Sequence, residues 1–141
     1  MKKALTILVL LLLAGCIISC ISMRVATEYF RIEFERIAHD HSFEPTNHGL
    51  SQYIRSIVKV GMSSAEVEKA LKQIGPLSVK QGQPYKNVLP GARARCDVVS
   101  VRMNALSIWN LDVLACYNSS DHLLFLTAVD LDAYPDLTIG Q

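Results

Sequence analysis

Residues 61–76, Gly-Met-Ser-Ser-Ala-Glu-Val-Glu-Lys-Ala-Leu-Lys-Gln-Ile-Gly-Pro, decide the fold because they predict one short helix with both ends encoded. Ser63 is the expected N-cap, and Glu66 stands three residues later, so the two form a capping box. We expect Gly75 to adopt the left-handed cap and Pro76 to prevent the helix from continuing. The apolar residues at helical spacing, which predict a buried stripe, are Val67, Ala70, Leu71 and Ile74.

A further helix is predicted before this stretch, and the two would form a helical hairpin. Ser51 is its expected N-cap, Gly61 is its expected C-terminal stop, and Gly61-Met62 would make a very tight turn. Its apolar face comprises Leu50, Tyr53, Ile54, Ile57 and Val58.

The pattern changes to that of strands after Pro76. Leu77 and Val79 predict the start of a short strand, and residues 81–91 predict a loop because Gly and Pro recur there. The tail from residue 132 has little to hold it in place. Three longer strands are expected at residues 96–103, 108–117 and 123–131.

These elements predict an α+β fold, a small ααβββ domain in which a helical hairpin packs on a three-stranded antiparallel sheet. The helices would cover the apolar face of the sheet, which carries Val99, Val101, Trp109 and Val113.

The two cysteines of the strand region predict a disulfide. In an antiparallel hairpin, the residue numbers of two facing partners always add up to the same value. Setting Cys96 opposite Cys116 gathers apolar side chains on one face and polar ones on the other. The remaining pairs are Val99–Val113, Val101–Leu111, Met103–Trp109, Ser100–Asp112 and Arg102–Asn110. Residues 104–108 would form the hairpin loop, and two buried free thiols are the alternative.

Residues 1–23 predict a membrane anchor or a lipoprotein signal. Two lysines precede an uncharged apolar run, residues 4–23, that is long enough to span a bilayer as a helix. Alternatively, Leu13-Ala14-Gly15-Cys16 resembles a bacterial lipobox, and Cys16 would become the lipidated N-terminus. Either interpretation places the rest of the chain on the extracytoplasmic side, an orientation that the basic pair supports.

Residues 24–49 predict a juxtamembrane helix followed by a linker. A helical stripe of Phe30, Phe34 and Ile37 needs a partner, either the domain or a second copy of the chain. Pro45 and the turn chemistry around it indicate a linker over residues 42–49. The expected organisation is therefore an anchor (1–23), a helix with linker (24–49), a domain (50–132) and a tail (133–141).

The net charge of +1 argues against nucleic acid as a partner. The charges are unevenly placed, with basic side chains in the middle of the chain and aspartates towards its end. Either neighbouring strands carry complementary solvated faces, or the two sets form a two-signed docking surface. The residues concerned are Lys80, Lys86, Arg93, Arg95 and Arg102, and Asp112, Asp121, Asp130, Asp132 and Asp136.

No residue pattern predicts a catalytic, metal or cofactor site. His39 and His41 are two residues apart, which directs them to different faces of a helix, so we expect solvated side chains rather than metal ligands. His122 stands alone, and no serine lies in a nucleophile-elbow sequence. Asn118-Ser119-Ser120 matches a glycosylation acceptor, and Cys20 is interpreted as a thiol of the apolar segment. We therefore expect a protein that is not an enzyme.

The order of the elements and the motif in residues 60–76 resemble the SmpA/OmlA domain of BamE-like small envelope lipoproteins. The resemblance covers about residues 51–131, and the motif rests on Gly61, Met62, Ser63 and Val67. It implies an ααβββ sandwich that is membrane-anchored and extracytoplasmic in the bacterial envelope. The best-known member is an accessory subunit of the outer-membrane β-barrel assembly machine. The architecture is also similar to one repeat of β-lactamase inhibitory proteins.

Together these features predict a membrane-tethered, extracytoplasmic binding or scaffolding module of the cell envelope. Its partners would be the membrane, through residues 4–23, and a protein whose identity the sequence does not give. The resemblance implies two alternatives, a β-barrel-assembly accessory lipoprotein and an inhibitor-like domain that binds a secreted hydrolase.

Overall fold

The structure is a computed structural model that describes residues 2–82, 95–103 and 109–140, with side chains from residue 11 onward. Its chain divides into two compact units, Met1–Glu33 and Phe34–Gln141. The helices are α1 (Lys2–Asp40), α2 (Asn47–Ile57) and α3 (Ser64–Leu71). The strands are β1 (Leu77–Lys80), β2 (Arg95–Arg102), β3 (Asn110–Tyr117), β4 (Leu123–Ala128) and β5 (Thr138–Ile139). The architecture is therefore α+β.

The first unit consists of most of α1, and most of its apolar side chains from residue 11 onward are exposed. Among the described residues, α1 alone is long and apolar enough to cross a membrane, a test that signal sequences near an N-terminus also pass. The expected helix over the apolar segment and its continuation beyond residue 24 are both confirmed as helix. The exposed apolar side chains of this unit include Leu11, Leu12, Leu13, Ile17, Ile18, Ile21, Met23 and Val25.

The second unit begins with the last turns of α1, whose apolar side chains are buried within that unit. Phe34, Ile37 and Ala38 are all buried. The Phe43 ring lies between the rings of Phe34 and Tyr53, at centroid distances of 6.2 Å and 5.2 Å. From Phe34 onward, the stripe of the predicted juxtamembrane helix therefore packs on the domain.

Helix α2 begins earlier than the sequence indicated. Its N-cap is Thr46, whose hydroxyl accepts a hydrogen bond from the Gly49 N–H at 3.0 Å. The prediction of Ser51 as N-cap is wrong, because Ser51 lies inside the helix and donates to the Asn47 carbonyl at 2.8 Å. Glycine is required at Gly49, since a Cβ there would lie 2.1 Å from the Glu44 carbonyl oxygen.

The connection between α2 and α3 is longer than the tight turn expected at Gly61-Met62. Helix α2 ends at Ile57 with Val58 as its C-cap, and α3 starts at Ser64. Gly61 has a φ of +89°, so it turns the chain within this connection rather than ending the helix. Residues 58–63 join the two short helices.

Helix α3 has the predicted N-terminus but a different C-terminus. The capping box between Ser63 and Glu66 is confirmed. The helix ends at Leu71 with Lys72 as C-cap, and Gly75 is not in the left-handed region, which corrects the expected glycine cap. Gly75 instead allows close packing, because a Cβ there would lie 2.2 Å from the Arg102 carbonyl oxygen.

Within the described residues, the sheet has five antiparallel strands in the order β1-β2-β3-β4-β5, so the expected three strands were too few. Strand β1 is the short strand expected after Pro76. The tail is not loose, because β5 pairs with β4, the Ala128 N–H donates to the Leu137 carbonyl at 3.1 Å, and Leu137 is fully buried. The β3–β4 ladder contains an irregularity between Cys116 and Tyr117, which alternation alone does not predict.

The predicted register of β2 and β3 is confirmed. Val99 pairs with Val113, and Ser100 pairs with Asp112. Both the inward face of the sheet and the stripes of the two short helices are buried, which forms the core. Trp109 is an exception, because its side chain is 47% exposed although the Met103 N–H donates to its carbonyl at 3.0 Å. The prediction that the helices cover Trp109 is wrong, since this pair lies past the ends of both strands.

Candidate functional site

The face of the sheet opposite the core side chains carries the candidate site. Side chains alternate between faces along a strand, so even-numbered positions of β2 and β3 share this outer face. Its composition changes along the strands. The apolar end carries Cys96, Val98, Leu114, Cys116 and Phe125, and the polar end carries Ser100, Arg102, Asn110 and Asp112.

A disulfide joins Cys96 and Cys116 at the apolar end of the outer face. The two residues are direct cross-strand partners, as the register argument expects. Both cysteines and Leu114 are buried, and Val98 and Phe125 pack against them. This cluster links the two central strands of the sheet covalently and removes one end of the outer face from solvent.

A groove of about 230 Å³ lies at the polar end of the outer face, over β1, β2 and the start of β3. Two cationic side chains, Lys80 and Arg102, line it together with two hydroxyls and one amide. No described residue forms an ion pair with either cation. These donors suit a carboxylate or another anionic group. The full lining is Pro76, Leu77, Ser78, Lys80, Ser100, Arg102 and Asn110.

Asp112 lies beside this groove, opposite Ser100 on the outer face. Its Oδ1 atom is buried and has no hydrogen-bond partner among the described residues. Buried carboxylate oxygens normally accept hydrogen bonds, because their desolvation is otherwise uncompensated. The outer face thus places an acceptor next to the cationic groove but outside its lining.

A second charged cluster, at the other end of β2, is satisfied internally. The buried Asp97 carboxylate accepts from Arg95 Nε and from the Gly82 N–H, both at 3.0 Å. The same guanidinium donates to Asp121 Oδ1 at 2.9 Å and lies over the Tyr117 ring, 5.2 Å from its centroid. Burial, with a smaller contribution from Asp97, raises the pKa of Tyr117. These groups hold the turn after β3 to β2.

Asp121 also connects this cluster to α3. Its Oδ2 atom accepts from the Ser64 hydroxyl at 2.7 Å and from the Ser64 N–H at 3.1 Å. The hydroxyl hydrogen bond is the main cause that lowers the pKa of Asp121. Arg95 and Asp121 therefore neutralise each other within the fold. Of the basic and acidic residues that the sequence suggested for a docking surface, only Lys80 and Arg102 line the groove. Lys86 and Arg93 lie outside the described residues.

The histidines are placed in separate surroundings. His41 Nδ1 lies 3.0 Å from the Tyr53 hydroxyl, and His48 Nδ1 lies 2.7 Å from Asp136 Oδ2. His39 is exposed on α1, and His122 Nδ1 lies 3.0 Å from the Gly61 carbonyl oxygen. Within the described ranges, no three His, Cys, Asp or Glu side chains converge in a way that could hold a metal ion.

The two remaining functional predictions concern side chains of α1 and of the turn after β3. Cys16 and Cys20 are free and exposed on α1. Asn118 uses its side-chain oxygen to accept from the Ser120 and His122 N–H groups, each at 2.9 Å. The asparagine side chain that matches a glycosylation acceptor is thus part of the turn itself.

Sequence reasoning missed the groove, because its lining comes from three separate strands. The available signal was the alternation in residues 77–80, which places Ser78 and Lys80 on one face. Assigning that face required the pairing of β1 with β2, in which Ser78 lies opposite Ser100.

Comparison with protein-family models, with curated proteins and with solved structures finds no match for this chain. The resemblance to the SmpA/OmlA domain therefore stays a prediction that rests on the motif in residues 60–76 and on the order of the elements.

Proposed function

We propose that this chain is a membrane-tethered module that presents a binding domain on the extracytoplasmic side of a cell membrane. The observation that carries the proposal is the exposed apolar surface of α1 in the unit Met1–Glu33. Exposed apolar surface of this extent is unfavourable in water and favourable in the hydrocarbon core of a bilayer. A helix also satisfies its own backbone hydrogen bonds there.

The disulfide supports the proposed side of the membrane. Disulfides persist in oxidising compartments and are rare in the reducing cytosol. A Cys96–Cys116 bridge in the domain agrees with an extracytoplasmic location, as does the Lys2-Lys3 pair before the apolar run.

Binding, rather than catalysis, is the activity that we propose for the domain. The groove at the polar end of the outer face offers two cations, Lys80 and Arg102, with which no described residue forms an ion pair. Such a surface supports recognition of a partner that carries negative charge. Barrel assembly and hydrolase inhibition are narrower forms of this proposal that rest on the resemblance alone.

Membrane attachment is tested by extracting membranes with alkaline carbonate. We expect the full chain to remain in the membrane pellet, and a variant with Leu12→Arg and Ile17→Arg to be lost from it, because charged residues at the centre of a spanning helix oppose insertion. A matched variant with Leu12→Ile and Ile17→Leu should behave like the wild type. Recovery of the wild-type chain in the soluble fraction would contradict the proposal.

The two forms of attachment are separated by mass spectrometry of the mature N-terminus. An intact Met1 indicates an uncleaved anchor, and a lipid-modified Cys16 indicates a processed lipoprotein. Both results agree with a tethered module, whereas an unmodified N-terminus beyond residue 23 would contradict it.

A further inference from the structure

Among the described strands, β1 forms an edge of the sheet, and half of its backbone hydrogen-bonding groups point away from β2. The sheet order places β1 at one end, next to β2 only. The Arg102 N–H donates to the Pro76 carbonyl at 2.9 Å, which makes Pro76, Ser78 and Lys80 the positions that bond to β2. The N–H and C=O groups of Leu77 and Val79 therefore point outward. Among the described residues, none pairs with them.

The side chains of β1 differ between its two faces. Ser78 and Lys80 are exposed on the outer face, and Leu77 and Val79 are half-buried on the other face. A strand added along this edge would alternate in the same way, because neighbouring strands share the pleat. Its outer-face side chains would lie beside the groove, and its other side chains would extend the apolar surface beside Leu77 and Val79.

Charge complementarity selects the chemistry of the added strand. Arg102 is level with Pro76 and Lys80 is level with Val98, so the two cations stand at opposite ends of the groove. A partner strand alongside β1 would pass both cations. Carboxylates at alternate positions of that strand could reach Lys80 and Arg102. A compact anion such as a lipid headgroup would use the cations but would leave the backbone groups of Leu77 and Val79 unbonded.

We propose that an extended segment of a partner protein, in which acidic and apolar residues alternate, adds to the sheet along β1 and directs its carboxylates to Lys80 and Arg102. The backbone hydrogen bonds of the edge would supply affinity, and the groove would supply specificity for negative charge. This inference rests on the proposed binding function and names the partner class and the surface involved.

The test is a selection of random displayed nonapeptides on the full chain, purified in a non-ionic detergent. We expect enrichment of peptides with Asp or Glu at alternate positions, apolar residues between them and no internal proline. The variant with Lys80→Glu and Arg102→Glu should select Lys or Arg at the same positions. The control Lys72→Glu, which changes an exposed lysine at the C-cap of α3, should select the same peptides as the wild type.

Affinity and location are then measured with one enriched acidic peptide. Neutralising the groove with Lys80→Gln and Arg102→Gln should weaken binding about tenfold, and Lys72→Gln should change it less than twofold. Hydrogen exchange should slow at the amides of Leu77 and Val79 when the peptide binds. A thermal unfolding curve that matches the wild type shows that each variant is folded.

Three results would overturn the inference: no enrichment, acidic peptides whose binding ignores the groove variants, or amide protection elsewhere in the sheet. Vesicles of phosphatidylglycerol provide the lipid comparison. Groove-dependent binding to these vesicles without acidic peptide enrichment would identify a headgroup site instead. The peptide measurements are made in detergent and do not depend on the side of the membrane that the domain faces. A negative peptide result would therefore not contradict the proposed topology, and a wrong topology would not invalidate a positive peptide result.

Discussion

At the N-terminus of α3, one hydroxyl and one carboxylate satisfy backbone N–H groups that the helix cannot satisfy itself. The Ser63 hydroxyl accepts from the Glu66 N–H, and the Glu66 carboxylate accepts from the Ser63 N–H at 2.8 Å. Leu71, the last residue of the helix, is fully buried in the core. These two residues stabilise the same helix by different means, so their substitutions should have different effects.

We expect Ser63→Ala to lower the free energy of unfolding by about 1 kcal/mol, as the loss of an N-cap does. Leu71→Ala should lower it by about 2–5 kcal/mol, because it leaves a cavity. Ser119→Ala, at an exposed turn position, should change it by less than about 0.5 kcal/mol. Urea unfolding measures all three, and equal losses for Ser63 and Leu71 would show that the helix is misplaced.

The same capping box makes a small part of the stability depend on pH. The hydrogen bond from the Ser63 N–H is the main cause that lowers the pKa of Glu66 in the folded chain. A lowered pKa means that the folded state binds the proton less readily, so this contribution is complete above about pH 4.3 and is lost in more acidic solution. We expect the stability difference between wild type and Glu66→Gln to shrink between about pH 6 and pH 3. If the urea midpoints of the wild type and of Glu66→Gln differ by the same amount at every pH in that range, Glu66 is not the source of the pH dependence.

At the scale of the elements, the C-terminal end of the chain was harder to predict than α3 and the β2–β3 hairpin. The α3 capping box, the apolar stripe of α3 and the β2–β3 register follow from local rules that operate over a few residues. Strand β5 has only two residues, Thr138 and Ile139, and forms because β4 offers an unpaired edge. Such pairing depends on tertiary contact, which residues 133–141 do not encode locally.

The burial of Leu137 tests the position of β5. We expect Leu137→Ala to lower the free energy of unfolding by about 2–5 kcal/mol, since its side chain is fully buried. Leu131→Ala is the matched control, because its side chain is 52% exposed, and it should change stability by less than about 0.5 kcal/mol. A negligible effect at Leu137 would restore the view that the tail is loose.

The disulfide between β2 and β3 closes a loop with a sequence separation of 20 residues. Restricting the unfolded chain in this way stabilises the fold by about 3 kcal/mol. We expect the variant with Cys96→Ala and Cys116→Ala to lose about that amount, and reduction of the wild type to have a similar effect. Peptide mapping without reductant checks the bond in protein from its native membrane. Recovery of both peptides as free thiols would remove the disulfide.

The groove also shows where sequence reasoning stops. Arg102 and Asn110 could be paired from the hairpin register, but Lys80 joins them only through the pairing of β1 with β2, two strands that residues 81–94 separate in the sequence. Trp109 illustrates the opposite error, because alternation assigned it to the core while its position past the strand ends leaves it half exposed. Both cases depend on where strands end in space, which periodicity does not specify.

At the scale of the whole molecule, the two units differ in the polarity of the surface that they expose. The unit Met1–Glu33 exposes apolar side chains, whereas the unit Phe34–Gln141 buries its own core and exposes charge. One chain with both kinds of surface is suited to a boundary between lipid and water. The central claim is that the second unit faces the extracytoplasmic side.

Labelling of single introduced cysteines in intact cells with a membrane-impermeant maleimide tests this claim most directly. Ser119→Cys lies on an exposed turn of the domain, and Lys2→Cys lies before the apolar run. Relative to the wild-type chain, whose free Cys16 and Cys20 set the background, we expect extra labelling of Ser119→Cys in intact cells. We expect extra labelling of Lys2→Cys only after lysis, or none if the segment before Cys16 is removed. Labelling of Ser119→Cys only after lysis would contradict the claim.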